Sequence, residues 1–183
     1  MGRIVSYCTI DAGMDNLVGL YHSLGMNYPK FFKMDHLSRA GLIAAETVLQ
    51  KAGLRNTDPK PDMALDLVNS SASTCNDVEF QKTISPQAYF PSPALFVYTL
   101  SNIVCGEIAI RNNILGETSF YVQEKFSAEF LAEVTGWAFS DKGTRRVLCG
   151  WTECREDIRL CRMMLVEDDG TALSSEEIET IFK

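Results

Sequence analysis

The side chains of this sequence that could most readily do chemistry form a run of small polar residues at positions 70–77, SSASTCND. The run follows Asp62 to Asn69, a stretch that predicts a strand. Small hydroxyl residues directly after a strand can contact a ligand, which gives five candidates for a ligand loop: Ser70, Ser71, Ser73, Thr74 and Cys75. The same residue types favour turns and helix caps, so an ordinary turn is the alternative interpretation.

Cys75 could also act as a nucleophile, but the sequence offers it little help. A cysteine nucleophile needs a base, and no histidine follows Cys75 in the chain, because the only two are His22 and His36. Four further cysteines lie among apolar residues and are predicted to be buried reduced thiols: Cys8, Cys105, Cys149 and Cys161. No cysteine pair has C-x-x-C spacing and no histidine is near a cysteine, so neither a metal nor a cofactor is predicted.

A second candidate position lies in the stretch 91–140, where three elements follow one another. Ala94 to Ile114 has hardly any polar stripe and predicts a helix buried on most sides. Thr118 to Glu124 predicts a strand, and a helix with one apolar face follows it. Residues of that face are Phe126, Phe130, Val134 and Trp137, with Leu131 and Ala138 beside them. A strand that leads directly into an amphipathic helix is where many α/β enzymes place a reacting group.

The remaining elements predict an α/β protein with a mixed sheet. Arg3 to Ile10 is typical of a buried strand, and a loop-like stretch with scattered glycines follows it. Asp35 predicts the N-cap of a helix that Gly53 and Leu54 end, and Arg55 to Pro61 is a charged, proline-bearing connection. The patterns at Arg145 to Trp151 and Arg159 to Glu167 predict antiparallel strands, and Ser174 predicts the cap of a short last helix.

Length and charge bound the class of protein. With 183 residues, 46% of them hydrophobic, the chain fits a single domain spanning 1–183, with residues 168–183 as its C-terminal tail helix. The net charge of −7 opposes nucleic-acid binding, although the cluster Lys142, Arg145 and Arg146 could dock an acidic partner. No stretch is long and apolar enough for a membrane span, and the N-terminus lacks the apolar run of a signal peptide, so we expect a cytoplasmic location.

Three segments resemble the N-terminal half of the β-ketoacyl synthases, the thiolase-like condensing enzymes of fatty-acid and polyketide synthesis. They are KMDHLSRAGLIAAETVLQKAGL, DMALDLVNSSAS and PSPALFVYTLSNIVCGEIAIRNNILGE, and the likeness is strongest over residues 31–151. The resemblance implies a three-layer thiolase-like half-fold, with a five-stranded mixed sheet and helices on both faces. It also implies that Arg3 to Ile10 is the central strand.

In that family the strand after the equivalent of Gly116 ends at a nucleophilic cysteine, and the resemblance puts this position at about Lys125. Its neighbours in sequence are Gln123, Glu124, Phe126 and Ser127, and none of these residues is a cysteine. The family's other catalytic groups come from a second half that lies outside this sequence. Relatives of the chain-length-factor type also lack the cysteine and act as partners of an active synthase. Gln123, which lies near the position of the missing cysteine, is a point of resemblance to these relatives.

The resemblance therefore implies a non-catalytic synthase-like subunit of a type II fatty-acid or polyketide-like pathway. The alternative is a 3-oxoacyl-(acyl-carrier-protein) synthase-type acyltransferase with a rearranged site, or one completed by a partner chain, using Cys75 or Ser127. A third hypothesis is a module that binds acyl or pantetheine groups. Implied partners are a full-length synthase, an acyl carrier protein, and a second copy paired through the strand residues Phe120, Tyr121 and Val122.

Overall fold

The computed structural model describes residues 2–11, 14–87, 90–155 and 158–182, and within them a five-stranded mixed sheet runs through the molecule. Its strands are β1 (Arg3–Ile10), β2 (Met63–Asn69), β3 (Thr118–Val122), β4 (Arg146–Cys154) and β5 (Arg159–Glu167), in the spatial order β1-β5-β4-β2-β3. β2 runs parallel to both β3 and β4, whereas β5 is antiparallel to β1 and β4. The predicted five-stranded mixed α/β sheet is confirmed.

The expected position of the first strand is wrong. β1 lies at one edge of the sheet, and β4 is the central strand. Exposed residues of β1 alternate with half-buried or buried ones, and only two of its eight residues are buried, whereas eight of the nine residues of β4 are buried. An apolar run in the sequence indicates a strand but does not fix its order in the sheet, and β4 carries the continuous burial that a central strand requires.

Helices cover both faces of the sheet. They are α1 (Met14–Ser23), α2 (His36–Lys51), α3 (Thr74–Gln81), α4 (Pro93–Phe96), α5 (Ile103–Asn112), α6 (Ala128–Ala138) and α7 (Ser175–Ile181). One core is built from α1, α2 and α5 against the sheet, and it holds Leu17, Leu42 and Ile108. A second core lies under α6 and α7 on the other face, around Leu131 and Phe182.

The ends of α2 agree with the sequence prediction. Asp35 accepts hydrogen bonds from the amides of Leu37 and Ser38. Gly53 has a positive φ of 72°, and Leu54 N donates to Leu49 O at 2.9 Å, which is the bonding of a Schellman motif. Small residues let α2 approach its neighbour closely: a Cβ on Gly41 would lie 2.6 Å from a methyl carbon of Val104.

Two helix predictions are wrong. The glycine-bearing stretch after β1 contains α1, because Leu17 and Tyr21 recur at helical spacing and are buried against α2. The predicted continuous helix from Ala94 to Ile114 is α4, a 3-10 turn at Val97–Thr99, and then α5. The chain is extended at Leu100 between these pieces, and Phe96, Val97, Leu100 and Ile110 are exposed.

No single helix among the described residues is long and apolar enough to cross a membrane. The segment Pro93–Thr99 together with Ile103–Asn112 reaches that length and composition only as a pair, and the two parts are bent by 97°.

Candidate functional site

The candidate site lies at the edge of the sheet where the three parallel strands end. β2 leads into Ser70, β3 into Gln123, and β4 ends at Cys154. Gln123 N donates to Asn69 O at 2.8 Å, which holds the end of β3 beside the end of β2. The sheet therefore brings the predicted ligand loop and the predicted nucleophile position to one edge, the usual location of ligand sites in α/β proteins.

A buried carboxylate organises the first part of the loop. Glu153, in β4, is only 4% exposed. It accepts hydrogen bonds from Ser70 N at 2.9 Å, Ser70 Oγ at 2.6 Å, Ser71 Oγ, and Cys154 N at 3.2 Å. These four donors compensate the cost of burying the carboxylate. The loop after β2 is thereby fastened to the end of β4.

The side chain of Asn69, the last residue of β2, closes the turn. The Asn69 side chain donates to Ala72 O and accepts from Ala72 N, both at 2.9 Å. Ala72 adopts a left-handed conformation, with φ of 49°, which is uncommon for a residue other than glycine. Two side-chain hydrogen bonds to the same residue hold this conformation in place.

The remaining loop residues also use their polar groups within the chain. Ser73 Oγ donates to Thr99 O at 2.7 Å, Thr74 Oγ1 to Ser71 O at 2.5 Å, and Cys75 Sγ to Cys154 O at 2.8 Å. A ligand at this loop would compete with these bonds. The ligand-loop hypothesis stays a prediction, and the observed contacts are those of a turn that leads into α3.

The strand-to-helix junction after β3 carries the predicted nucleophile position. Glu124 and Lys125 are exposed, Gln123 is half-buried, and α6 begins three residues beyond Lys125. Ser127 is the N-cap of α6: its Oγ accepts from Phe130 N at 3.1 Å and donates to Glu129 at 2.9 Å. Because it makes both bonds, this hydroxyl stabilises the start of α6.

The cysteines are all free, and most are protected from ionisation. Burial raises the pKa of Cys105, Cys149 and Cys161 to about 12. Burial, together with hydrogen bonding to the Cys75 side chain, raises the pKa of Cys154 to about 12 as well. These four are buried, whereas Cys8 is half-buried because it lies on the edge strand β1, contrary to the expectation of full burial.

The start of α2 comes close to the residue that follows Cys75. Asn76 Nδ2 donates to Asp35 Oδ2 at 2.7 Å, so the N-cap of α2 is tied to α3. His36, the next residue, is buried, and its pKa is lowered chiefly by that burial and also by Arg159. Its Nδ1 has no hydrogen-bond partner among the described residues. The sequence does not predict this proximity.

The far side of β3 is open: among the residues that the structure describes, β3 pairs only with β2.

Tyr121 lies beside two aromatic residues of α6, with ring centroids 5.7 Å from Phe130 and 6.5 Å from Trp137. Trp137 is 51% and Val122 52% exposed. The apolar face of α6 is therefore centred on Leu131 and Val134, and Trp137 lies outside it, contrary to the prediction.

The predicted basic cluster is divided. Arg146 begins β4, and its guanidinium contacts the Asp62 carboxylate at 2.6 Å. This ion pair connects the start of β4 to the residue before β2. Lys142 and Arg145 are exposed. The cluster is therefore smaller than the sequence suggests.

Comparison with known proteins gives matches in structure. No protein-family model and no curated protein sequence matches the chain. The structure of a ketosynthase (ApeO) in complex with its chain length factor (ApeC) from Xenorhabdus doucetiae matches with a TM-score of 0.65 and 13% identity, over 94% of this chain and 81% of the matched chain. The ishigamide ketosynthase/chain length factor matches with a TM-score of 0.65 and 15% identity, over 93% of this chain and 63% of the matched chain.

A third match is the type II polyketide synthase acyl-carrier protein in complex with its ketosynthase bound to the hexaketide, with a TM-score of 0.61 and 11% identity. It covers 98% of this chain and 60% of the matched chain. In this structure and the ishigamide one, the chain spans less than two thirds of the length of the chain it matches. At these identities the likeness concerns the fold: the chain has the thiolase-like α/β fold of the ketosynthases and chain length factors.

Proposed function

We propose that this chain is a non-catalytic ketosynthase-like subunit that acts with a partner ketosynthase in a type II polyketide or fatty-acid pathway in the cytoplasm. The observation that carries the proposal is the junction after β3. It lies at the edge of the sheet where the fold family places its nucleophile, and it presents Gln123, Glu124 and Lys125. None of these side chains can carry an acyl group as a thioester.

The matched structures support this choice of function. Two of them contain a chain length factor with its ketosynthase, and one contains a ketosynthase with an acyl-carrier protein. A subunit of this fold without a nucleophile suits the role of the partner. Both hydrophobic cores of the present chain pack on the same sheet, which supports the proposal that residues 1–183 form one domain.

The remaining nucleophiles near the site are poorly suited to acyl transfer. Cys75 donates its thiol proton to a backbone carbonyl, and His36 makes no hydrogen bond to it among the described contacts. The Ser127 hydroxyl donates to a carboxylate without an imidazole to relay the proton. Acyl transfer through either residue would lack the base and the oxyanion donors that each contribute about a hundredfold or more.

We expect the purified chain to show no decarboxylative condensation of acyl and malonyl carrier-protein thioesters. Without a thiolate and its base, turnover should fall at least about 10⁴-fold below that of a complete ketosynthase in the same assay. Adding a ketosynthase from the same genome should restore chain extension. The product can be measured by mass spectrometry of the carrier protein.

The matched control for this assay is Cys75→Ala. If the chain alone extends the acyl group and this variant does not, the acyltransferase alternative holds and the proposal fails. If the chain and the ketosynthase together are no faster than the ketosynthase alone, the partner role fails.

The open edge of β3 supports assembly through this strand. Leu65 N donates to Glu117 O at 2.9 Å and Gln123 N donates to Asn69 O at 2.8 Å. In a parallel ladder this register turns the amides of residues 119, 121 and 123 towards β2. The amides of Thr118, Phe120 and Val122 then face the open side, where a strand of a second chain can pair with them.

We expect the isolated chain to form a homodimer through β3, and Val122→Pro to weaken it at least tenfold. Proline removes an amide on the open side and leaves the bonds to β2 intact, so the sheet is expected to fold. Light scattering at micromolar concentration measures the change. Val122→Thr keeps the amide and should remain dimeric, and a wild-type monomer or a dimer insensitive to proline would contradict this interface.

A further inference from the structure

Two cysteines from different elements meet beside the loop after β2. Cys75 lies in the first turn of α3 and is half-buried, whereas Cys154 ends β4 and is buried. Cys75 Sγ is 2.8 Å from the carbonyl oxygen of Cys154, and the two side chains pack in the same hydrophobic cluster. Because Cys75 Sγ already contacts the backbone of Cys154, a change of side-chain rotamers can bring the two sulfurs towards the S–S bonding distance of about 2 Å.

We propose that Cys75 and Cys154 form a reversible disulfide when the protein meets a low-molecular-weight disulfide oxidant such as glutathione disulfide. This would be a redox modification site at the carboxyl edge of the sheet. The inference rests on these two residues and their surroundings, and it holds whether or not the chain acts with a ketosynthase.

The exchange takes place in two steps. The Cys75 thiolate, which is the more accessible, attacks one sulfur of the oxidant; a mixed disulfide forms and one small thiolate leaves. The Cys154 thiolate then attacks the Cys75 sulfur, forming the Cys75–Cys154 bond and releasing the second small thiolate. Two protein thiols are oxidised, one small disulfide is reduced to two thiols, and the two protons lost by the protein are taken up by the products or by solvent.

Hydrogen bonds of neighbouring residues connect the two segments that carry Cys75 and Cys154. Ser71 Oγ also donates to Cys154 O, at 3.4 Å, and the neighbouring Glu153 carboxylate holds Ser70 and Ser71. Both segments that carry the sulfurs are therefore fixed by contacts other than the thiols. A disulfide would change the link between α3 and β4 from a hydrogen bond to a covalent bond, and reduction would return it.

A second pair of cysteines provides an internal comparison. Cys8 and Cys161 lie on the neighbouring strands β1 and β5, again one half-buried and one buried. In the register of these strands Cys8 faces Met163 and Cys161 faces Ile10, so the two cysteines are diagonal neighbours. Diagonal positions are about 7–8 Å apart, beyond the usual Cα separation of a disulfide, so this pair should stay reduced.

The test is to incubate the purified full chain with glutathione disulfide, block the remaining thiols in acid, and map disulfide-linked peptides by mass spectrometry. We expect the six free thiols to fall to four, with a single linked peptide pair containing Cys75 and Cys154. Dithiothreitol should restore all six. Cys8→Ser should leave this link unchanged, whereas Cys75→Ser should abolish it.

The rate of ring closure gives a second readout, which does not depend on a variant of the buried Cys154. Its thiol must ionise to attack, and its pKa is about 12, so decay of the mixed disulfide should accelerate about tenfold per pH unit between pH 7 and 9. A mixed disulfide at Cys75 that persists at pH 9, equal linkage of Cys8 and Cys161, or six titratable thiols after oxidation would each overturn the proposal.

Discussion

Asp66→Asn is expected to raise the free energy of unfolding by about 4 kcal/mol at pH 8 and to change it little at pH 4. Asp66 is in the middle of β2 and is 3% exposed, and its Oδ2 has no hydrogen-bond partner in the part of the chain that the structure describes. Burial is the main cause that raises its pKa from 3.8 to about 7, and the nearby Glu117 carboxylate adds to it. At about 1.4 kcal/mol per pKa unit, this difference corresponds to about 4 kcal/mol.

The sign follows from proton uptake. Between about pH 4 and pH 7 the folded protein keeps the Asp66 proton while the unfolded chain has lost it, so wild-type stability decreases as the pH rises through this window. Asparagine stays neutral and removes this decrease. Urea unfolding of both proteins at pH 4, 6 and 8 measures the difference in their free energies of unfolding. At pH 4 this difference reports only the cost of placing the asparagine amide at the buried position.

Asp62→Asn is the control of opposite sign. The Arg146 guanidinium, 2.6 Å from this carboxylate, lowers the Asp62 pKa, so the pair contributes stability that is lost as the pH falls. Removing that charge should reduce stability at pH 8. If Asp66→Asn proves no more stable than the wild type at pH 8, the folded protein ionises this carboxyl as easily as the unfolded chain does, and the prediction is wrong.

Periodicity and cap residues predicted the elements of the fold better than their arrangement. The bounds of β1 and β5 and the cap of α2 follow from local patterns, because alternation and an aspartate before a helix act within a few residues. The order of strands depends on contacts distant in sequence, so no local pattern could place β1, and the central position came only from the family resemblance. The bend before α5 was missed for a related reason: the apolar residues around Leu100 are typical of a buried helix, yet they lie exposed at a break.

The two positions of the candidate site were predictable, but the groups that hold them together were not. The small residues after β2 and the junction after β3 are visible in the sequence as strands followed by helix starts. Glu153 and Cys154 lie in the part of β4 that extends beyond the predicted strand Arg145 to Trp151, so no pattern in the sequence indicated that they are buried at the site. Their role depends on β4 lying beside β2, a contact about 80 residues apart in sequence.

Lys60→Met is expected to lower the free energy of unfolding by about 3 kcal/mol or more. Lys60 is 2% exposed, and its Nζ donates to three backbone carbonyls: Arg55 O at 2.6 Å, Asp58 O at 2.8 Å and Asn112 O at 2.7 Å. Methionine fills a similar volume but donates no hydrogen bond, so three acceptors would lose their donor. The bond to Asn112 O is buried and the other two are partly buried, and an unsatisfied buried acceptor costs about 1–3 kcal/mol.

The position of these carbonyls gives the lysine a second stabilising contribution. Asn112 O is at the C-terminal end of α5, where carbonyl groups lack helical partners and a positive charge is favourable. Lys60 N also donates to Asn113 O at 2.7 Å, so the residue fastens the end of α5 to the connection before β2 through both its backbone and its side chain. Loss of the side chain should therefore loosen this end of the fold, at the edge opposite the candidate site.

Urea unfolding at pH 7 measures the effect, with Lys51→Met as the matched control. Lys51 lies on the surface at the end of α2 and donates to a single carbonyl, Tyr7 O, at 2.9 Å, so its replacement should cost less than about 1 kcal/mol. Amide hydrogen exchange should be faster in the Lys60 variant than in the wild type at residues 55–60 and 112–115. Equal effects of the two substitutions would mean that the three carbonyls find water or other donors, and that the buried ammonium contributes little to the stability of the fold.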